Sequence, residues 1–362
     1  MGNIISYLEK YGDKSFSEMP FNEVDALVLS QFSYLKFDGV IPRLTDNQNA
    51  VSMAQMLANM DDALVFADER YEKNNRLLWE GMIGGKRFAT MCCNYYANII
   101  NEDVETQFCA MVCYPQDSEP VLVYRGTDEN LVGWKEDFNM AFKKPVPGQK
   151  LSVLYMNQAG LRLPASFIVC GHSKGGNLAV YSSMNTPENI QRRIKTIYSF
   201  DGPGFRPEIL DSNHYEKIAS RIRKYIPHSS LVGMILENHE EYVVVDSSSI
   251  GLFQHNPYTW KIEGCNFLMK PEILKSQRFM NEALNEWILK LEDEQLEVFV
   301  STLFYVLEGC NVKNLIDLTG DWRASIHGMV KASREINEET KEKIHEILFL
   351  LADVLKDNFK NL

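Results

Sequence analysis

The sequence lacks the features that would assign it to a membrane or to secretion. No apolar run approaches the roughly 18 residues that a transmembrane helix needs. No basic region followed by an apolar segment opens the chain, so we expect no signal peptide. Residues 1–6 match the loose myristoylation pattern, but for so short a match an ordinary N-terminal helix is the preferred interpretation.

Positive charge is also scarce. Lys and Arg number 37 against 49 Asp and Glu, which leaves a net charge of −12. Proteins that bind phosphate backbones usually present a basic face, so this balance argues against nucleic acid and against an anionic membrane surface as partners. A small-molecule or lipid substrate fits the composition better.

Metal and cofactor motifs are missing as well. The seven cysteines are odd in number and form no C-x-x-C pair. Cys109 and Cys113 lie in an apolar, strand-like run, so we predict buried free thiols and a reducing compartment, the cytoplasm. Residues 81–86 hint at a phosphate loop, but Glu80 and Arg87 stand where that pattern requires Gly and Ser or Thr. We predict no cofactor and no metal.

What the sequence does contain is an alternation of β-prone apolar runs with helical segments. The strand-like runs are residues 107–114, 120–124, 166–170, 196–200, 223–226 and 242–245. The run at 166–170 is apolar throughout, which is typical of a strand buried on both faces. This alternation predicts an α/β fold with a mostly parallel central sheet covered on both sides.

Helical periodicity dominates the two ends of the chain. Residues 1–40 form a helical lead-in, and two more helical patterns fall within 50–100. Beyond residue 270, two apolar stripes follow helical spacing: Leu284, Trp287, Ile288 and Leu291, and then residues 344–355 behind a candidate N-cap at Asn337. We predict a sheet-containing domain at 1–268 and a helical C-terminal region at 269–362 that packs on it.

One motif carries chemistry. Gly171-His172-Ser173-Lys174-Gly175 lies between the buried strand and a helical segment, the context that a nucleophile elbow requires. The turn is so tight that the residues two positions before and after the serine, Gly171 and Gly175, must be small. The helix start behind the serine favours negative charge. We predict that Ser173 is a nucleophile; the simpler alternative is a serine that caps the helix.

A nucleophilic serine needs an imidazole base, which a carboxylate must orient. Six histidines follow Ser173: His214, His228, His239, His255, His327 and His345. His255 is preferred because it lies in a loop after the last predicted strand, whereas the last two fall in the helical tail. For the acid, Asp201 directly follows the strand 196–200, with Asp211 and Asp246 as alternatives. An Asp that merely stabilises a turn is the simpler interpretation of Asp201.

Two backbone N–H groups must receive the developing oxyanion. One belongs to Lys174, the residue after the nucleophile, and the other falls at Gly126-Thr127, where an earlier strand ends. The Thr127 hydroxyl could add a third donor. The stretch 128–150 that follows is expected to cover or border the site; the alternative is that Trp134 and Phe138 are core residues of a helix braced by Asp137.

These motifs resemble those of class 3, fungal-type lipases. Tyr124-Arg125-Gly126-Thr127 with Trp134 and Asp137 is similar to that family's oxyanion strand and loop. The match is closer to a bacterial lipase-like family of unknown function, through Gly133-Trp134-Lys135-Glu136-Asp137-Phe138, the elbow, Asp201-Gly202-Pro203-Gly204-Phe205 and Gln254-His255. The resemblance covers about residues 20–268. It implies an α/β-hydrolase fold with a Ser-His-acid triad, and it implies no substrate.

The sequence departs from the class 3 pattern at the acid. In those lipases the acidic Asp follows the strand that comes after the one preceding Asp201. At that place this chain reads Tyr225-Ile226-Pro227-His228-Ser229-Ser230, with no carboxylate. Asp201 instead resembles the acid of pancreatic-type lipases. We expect a serine hydrolase of carboxylic esters; a thioesterase or other acyl hydrolase, and a catalytically silent binding module, stay open as alternatives. The oligomeric state also stays open.

Overall fold

The computed structural model describes residues 2–309 except 68–70, 129–130, 164, 211–212 and 237–240, together with residues 338 and 340–342. Several sequence predictions fall outside the described residues: the stripe at 344–355, the cap at Asn337, the histidines at 239, 327 and 345, and Asp211. No helix within the described part is long and apolar enough to cross a membrane.

Nine of the eleven strands in the described chain form one sheet, in the order β1-β2-β3-β4-β5-β6-β7-β8-β11. The strands are β1 Val51–Ser52, β2 Cys92–Asn101, β3 Thr106–Tyr114, β4 Val121–Tyr124, β5 Phe167–His172, β6 Ile194–Phe200, β7 Ile222–Pro227, β8 Tyr242–Val245, β9 Ile262–Glu263, β10 Asn266–Phe267 and β11 Met269–Lys270. Strands β4 to β8 are parallel, while β1, β3 and β11 pair antiparallel with β2, β4 and β8. The predicted mostly parallel sheet is confirmed.

Helices precede, connect and follow these strands. They are α1 Ile4–Tyr11, α2 Glu23–Phe32, α3 Met53–Asn59, α4 Asp62–Val65, α5 Glu72–Gly84, α6 Lys86–Ala89, α7 Leu131–Asn139, α8 Pro147–Gly160, α9 Lys174–Asn185, α10 Glu188–Gln191, α11 Pro207–Leu210, α12 Asn213–Ala219, α13 Lys275–Lys290 and α14 Asp293–Gly309. The segment 81–86 is the end of α5 and the start of α6, as its failed phosphate-loop pattern indicated. The first helices of the predicted C-terminal region begin at Lys275.

Apolar layers cover the sheet on both faces. In β3, Cys109 and Met111 point into one layer and Ala110 and Val112 into the other. Because successive side chains of a strand alternate between faces, a strand buried on both sides must be apolar at every position. This explains the continuous apolar runs of the sequence, and it confirms the prediction that Cys109 and Cys113 are buried free thiols.

Strand β2 was not predicted from the sequence. Its residues Cys92–Asn101 mix polar and apolar side chains, and burial fades along its second half. Such a strand lacks both the strict alternation of a half-buried strand and the apolar run of a fully buried one. The structure identifies it as a strand through its pairing with β1 and its place beside β3.

Helix α2 lies against β5 on one face of the sheet, and all its residues after Glu23 are buried. It begins with a capping box, in which the Asn22 side chain accepts from the Asp25 N–H and the Asp25 carboxylate accepts from the Asn22 N–H. The same carboxylate binds Arg87, at 2.6 Å from Nε, and both side chains are fully buried. This ion pair joins α2 to α6.

The chain divides into two compact units. The first comprises residues 1–99, 108–126 and 148–274, and the second comprises 100–107, 127–147 and 275–362. Within the second unit α14 packs against α7, and the rings of Phe138 and Phe304 lie 5.7 Å apart. The predicted division at residue 268, with the helical region packed on the sheet domain, stays a prediction.

Removing one partner of the buried ion pair tests how strongly the first unit depends on it. Asp25→Asn leaves the Arg87 charge buried without its counter-ion, so we expect a loss of about 3–5 kcal/mol in the free energy of unfolding, measured in urea. Glu188→Gln is the control, because its partner Arg192 is 75% exposed and an exposed pair contributes at most about 1 kcal/mol. Equal losses in the two variants would contradict this assignment.

Candidate active site

Ser173 stands alone between the end of β5 at His172 and the start of α9 at Lys174. Its backbone has φ 57° and ψ −132°, a conformation that costs a non-glycine residue on the order of 1–3 kcal/mol. Hydrogen bonds hold it there: its N–H donates to Phe200 O at 2.8 Å, and its carbonyl accepts from Gly176 N at 2.9 Å. The strained strand-to-helix turn predicted from the motif is present.

The flanking glycines make this turn possible. A Cβ atom on Gly171 would overlap the carbonyl of Gly175, and a Cβ on Gly175 would overlap the carbonyl of Tyr124 at the end of β4. Neither obstacle is a side chain that could rotate away. The G-x-S-x-G spacing is therefore dictated by the close approach of β4, β5 and α9.

The structure brings two of the predicted site residues into direct contact. His255 Nδ1 lies 2.6 Å from Asp201 Oδ2. The other carboxylate oxygen of Asp201 accepts from Ser230 Oγ at 2.5 Å and from Gly233 N at 3.2 Å. Asp201 is 1% exposed and has φ 48°, so a second residue at a strand end is held in the left-handed region. Its carboxylate contacts the His255 imidazole, and its role as the acid of a triad stays a prediction.

The loop after β7 lacks the carboxylate of class 3 lipases, but one of its side chains contacts Asp201. Ser230, from that loop, is the residue that donates to Asp201. Asp246, an alternative acid, bonds Lys261 at 3.0 Å and lies 3.7 Å from His228. Burial works to raise the pKa of Asp246, but its bond to Lys261 and the lysine charges outweigh burial and leave that pKa lowered.

The loop that carries His255 is anchored by its neighbour Gln254. The Gln254 side chain accepts from Ser229 N at 2.9 Å and donates to Ser249 O at 2.9 Å. The main-chain carbonyl of Gln254 accepts from Trp260 Nε1 at 2.8 Å. Gln254 Nε2 also lies 3.1 Å from Nε2 of His228. His228 thus belongs to the frame of this loop, while His214 is exposed on α12.

His172 has a role that the sequence did not predict. Its Nδ1 lies 3.0 Å from the hydroxyl of Tyr34, and its Nε2 lies 2.9 Å from the carbonyl oxygen of His255. The two histidine rings are 4.6 Å apart. Burial, together with the charge that His255 can carry, holds the pKa of His172 well below its usual range. His255 is therefore placed beside the elbow, and the hydrogen bond from Ser173 to its Nε2 stays a prediction.

The end of β4 also reaches the elbow. A Cβ on Gly126 would lie 2.5 Å from His172 O and 3.0 Å from Ser173 Cβ. Next along the chain, Thr127 Oγ1 donates to Asp137 Oδ2 at 2.6 Å, inside the second unit. This corrects one expectation: the Thr127 hydroxyl proton is directed to a carboxylate and is not available as a third oxyanion donor. Lys174 is buried at the start of α9.

The stretch 128–150 is mostly helical. Phe138 is half-buried and packs on Phe304, and Asp137 accepts from Thr127 Oγ1. Glu136 is buried and accepts from Thr106 Oγ1 at 2.7 Å and from Gln107 N at 3.0 Å. A lid role for this segment stays a prediction. Over the described residues, no group of three or more His, Cys, Asp or Glu side chains could hold a metal ion.

A largely parallel sheet whose strand β5 turns through a strained serine into a buried helix is the arrangement of an α/β-hydrolase fold. Residues 82–305 match the model of the Mbeg1-like family. Since that match spans more than half of the chain, the protein belongs to this family. The crystal structure of M37 lipase is similar at 14% sequence identity over 59% of this chain and 70% of that one, with a TM-score of 0.37. No curated protein matches the sequence.

The elbow glycine Gly175 offers a direct test of this geometry. Gly175→Ala must displace backbone atoms, so we expect a loss of about 1–3 kcal/mol or more in the free energy of unfolding. Gly84→Ala, at the exposed end of α5, is the matched control because its Cβ would meet nothing within 4 Å. That change should be neutral or stabilising by up to about 1 kcal/mol. If Gly175→Ala unfolds no more easily than the control, the tight turn is wrong.

Proposed function

We propose that this protein is a serine hydrolase that cleaves carboxylic esters through an acyl-enzyme on Ser173. His255 is the base, Asp201 is the acid that orients it, and the main-chain N–H groups of Lys174 and Thr127 receive the oxyanion. The observation that carries the proposal is the 2.6 Å bond between Asp201 and His255, whose ring lies 4.6 Å from that of His172, the residue before Ser173. A strained, buried serine and an imidazole-carboxylate pair are the parts that acyl transfer needs.

The reaction follows from these positions. Asp201 accepts the Nδ1 proton of His255, which leaves Nε2 as the basic nitrogen that takes the proton of Ser173 Oγ during attack on the ester carbonyl. The tetrahedral intermediate then expels the alcohol, which takes the proton from Nε2. Water, activated by the same imidazole, hydrolyses the acyl-enzyme. The start of α9 behind Ser173 favours the negative charge of the intermediate.

Exposed apolar side chains near the base favour an ester with an apolar group. Ile250 and Phe253, which precede His255 on the same loop, are 79% and 52% exposed. Exposed apolar residues close in sequence to the proposed base are candidates to bind acyl chains. A thioester remains the second candidate substrate, because the same triad would cleave it.

The backbone strain and the buried carboxylate of the site both cost folding free energy, which disfavours a catalytically silent binding module. Ser173 and Asp201 both hold strained backbones, and Asp201 is a buried carboxylate. Strain of this kind clusters at sites where it is part of a mechanism. We also infer a cytoplasmic location, supported by the free buried thiols of Cys93, Cys109 and Cys113.

Replacing the nucleophile tests the proposal directly. Ser173→Ala should lower kcat for ester hydrolysis on the order of 10⁶-fold and abolish labelling by a fluorophosphonate probe, because no other group can form the acyl-enzyme. The control is Ser248→Ala, which removes an exposed hydroxyl from the loop before His255. Labelling of Ser173→Ala at the wild-type rate, with its melting temperature unchanged, would refute the assignment.

Two Asp variants separate the proposed acid from its alternative. Asp201→Asn should lower kcat by about 10⁴-fold, because an amide favours the wrong tautomer of His255. Asp246→Asn loses its ion pairs with Lys261 and Lys270 but should keep kcat within a fewfold of wild type. The measurement is kcat for a common ester with both variants, and a larger loss in Asp246→Asn would reverse the assignment.

A further inference from the structure

The residue before the nucleophile joins two parts of the site that are far apart in sequence. His172 ends β5, and its Nε2 contacts the main-chain carbonyl of His255, 83 positions later, at 2.9 Å. Its Nδ1 contacts Tyr34, which follows α2 on the apolar layer beside the sheet. The ring is buried, and both of its nitrogens face a partner. No step of the proposed reaction uses this ring.

We propose that His172 is a positioning residue, which fixes the main chain of the base His255 relative to the nucleophile, and that Tyr34 selects the tautomer that makes this possible. The proposal rests on the function proposed above, since it concerns the orientation of that base. His172 directly precedes Ser173 in the chain. Its side chain therefore links the main chain of the nucleophile to the loop that carries His255.

Hydrogen-bond chemistry determines the tautomer. A main-chain carbonyl can only accept, so Nε2 of His172 must carry a hydrogen and donate it to His255 O. In the neutral ring Nδ1 is then an acceptor, and the hydroxyl of Tyr34 donates to it. Without this hydroxyl, the hydrogen could move to Nδ1, and the bond to His255 would be lost. Tyr34 thus selects the Nε2–H tautomer of His172 by donating to Nδ1, whereas Asp201 selects the Nδ1–H tautomer of His255 by accepting from it.

The two anchors act on opposite sides of the same residue. Asp201 holds Nδ1 of the His255 imidazole, while His172 holds the main-chain carbonyl of His255. Together they restrict both the backbone and the ring, and hence the direction of Nε2. Small misplacements of a reacting group can cost about 100-fold in rate, so this restriction has a measurable consequence.

The charge of His172 matters as well. Its ring lies 4.6 Å from that of His255, which becomes an imidazolium during the reaction. A neutral neighbour does not repel that charge, and burial keeps His172 neutral. The described titratable groups that face His172 are Tyr34 and His255, with Asp201 beyond His255.

Replacing the ring tests the proposal. His172→Phe keeps an aromatic side chain of similar size but cannot donate, whereas His172→Gln places an amide N–H where it can reach the same carbonyl. We expect kcat to fall about 10- to 100-fold in His172→Phe with KM little changed, and to recover most of this loss in His172→Gln. The acid limb of the pH–rate profile should move to lower pH in His172→Phe, because Asp201 then meets the imidazole in a poorer geometry.

Tyr34→Phe extends the test to the tautomer. It should lower kcat by a smaller factor than His172→Phe, and it should have no further effect in the His172→Phe background, since the two residues act through one bond. Tyr155→Phe is the control: its hydroxyl bonds Tyr95 O, away from the elbow, so its loss should change stability but not the acid limb. Independent effects of Tyr34→Phe and His172→Phe would overturn the pairing.

A measurement without substrate separates failure of this proposal from failure of the proposed function. The Nδ1 proton of His255, in its 2.6 Å bond to Asp201, should give a downfield proton resonance that broadens or shifts in His172→Phe and returns in His172→Gln. An unchanged resonance and an unchanged acid limb would overturn the positioning role. If the resonance responds as expected but wild-type protein neither hydrolyses esters nor labels at Ser173, the positioning stands and the proposed function fails.

Discussion

The hydrogen bond between His255 Nδ1 and Asp201 Oδ2 is the interaction on which the candidate site depends. It joins residues 54 positions apart and forms one of the two hydrogen bonds of the proposed triad. A buried carboxylate is expensive unless its oxygens are satisfied. Ser230 and Gly233 satisfy one carboxylate oxygen of Asp201, and the His255 imidazole satisfies the other.

Parallel strands place these groups together. In the register of the sheet, His172 pairs with Phe200 and Phe200 pairs with Tyr225, so β5, β6 and β7 end at one edge. The residues that follow these ends are the elbow, Asp201 and the loop of Ser230. Carboxyl ends of neighbouring parallel strands form the crevice in which open α/β sheets bind ligands. The topology of the sheet thus brings Ser173 and Asp201 to one edge, while loops carry Ser230 and His255.

Local sequence predicted what local geometry requires. Ser173 could be predicted as a nucleophile because its glycines and its flanking strand and helix are contiguous, and Asp201 could be predicted as an acid because it directly follows a strand. The hydroxyl of Tyr34, the donor Ser230 and the anchoring role of His172 depend on contacts across 29 to 138 positions. The periodicity of helices and strands does not encode contacts between residues so far apart in sequence. Strand β2 could not be predicted because its polar residues interrupt the alternation of apolar positions.

The position of the proposed acid, Asp201, bears on which features of such a site are fixed. An imidazole base requires a carboxylate within hydrogen-bond distance of Nδ1, and this requirement says nothing about which strand delivers it. Here β6 delivers the carboxylate, and the loop after β7, where class 3 lipases carry their acid, contributes a hydroxyl in its support. Because β6 is adjacent to β5, Asp201 starts one strand closer to the elbow. The bond from His172 to the His255 main chain contacts the residue of the proposed base from a second direction.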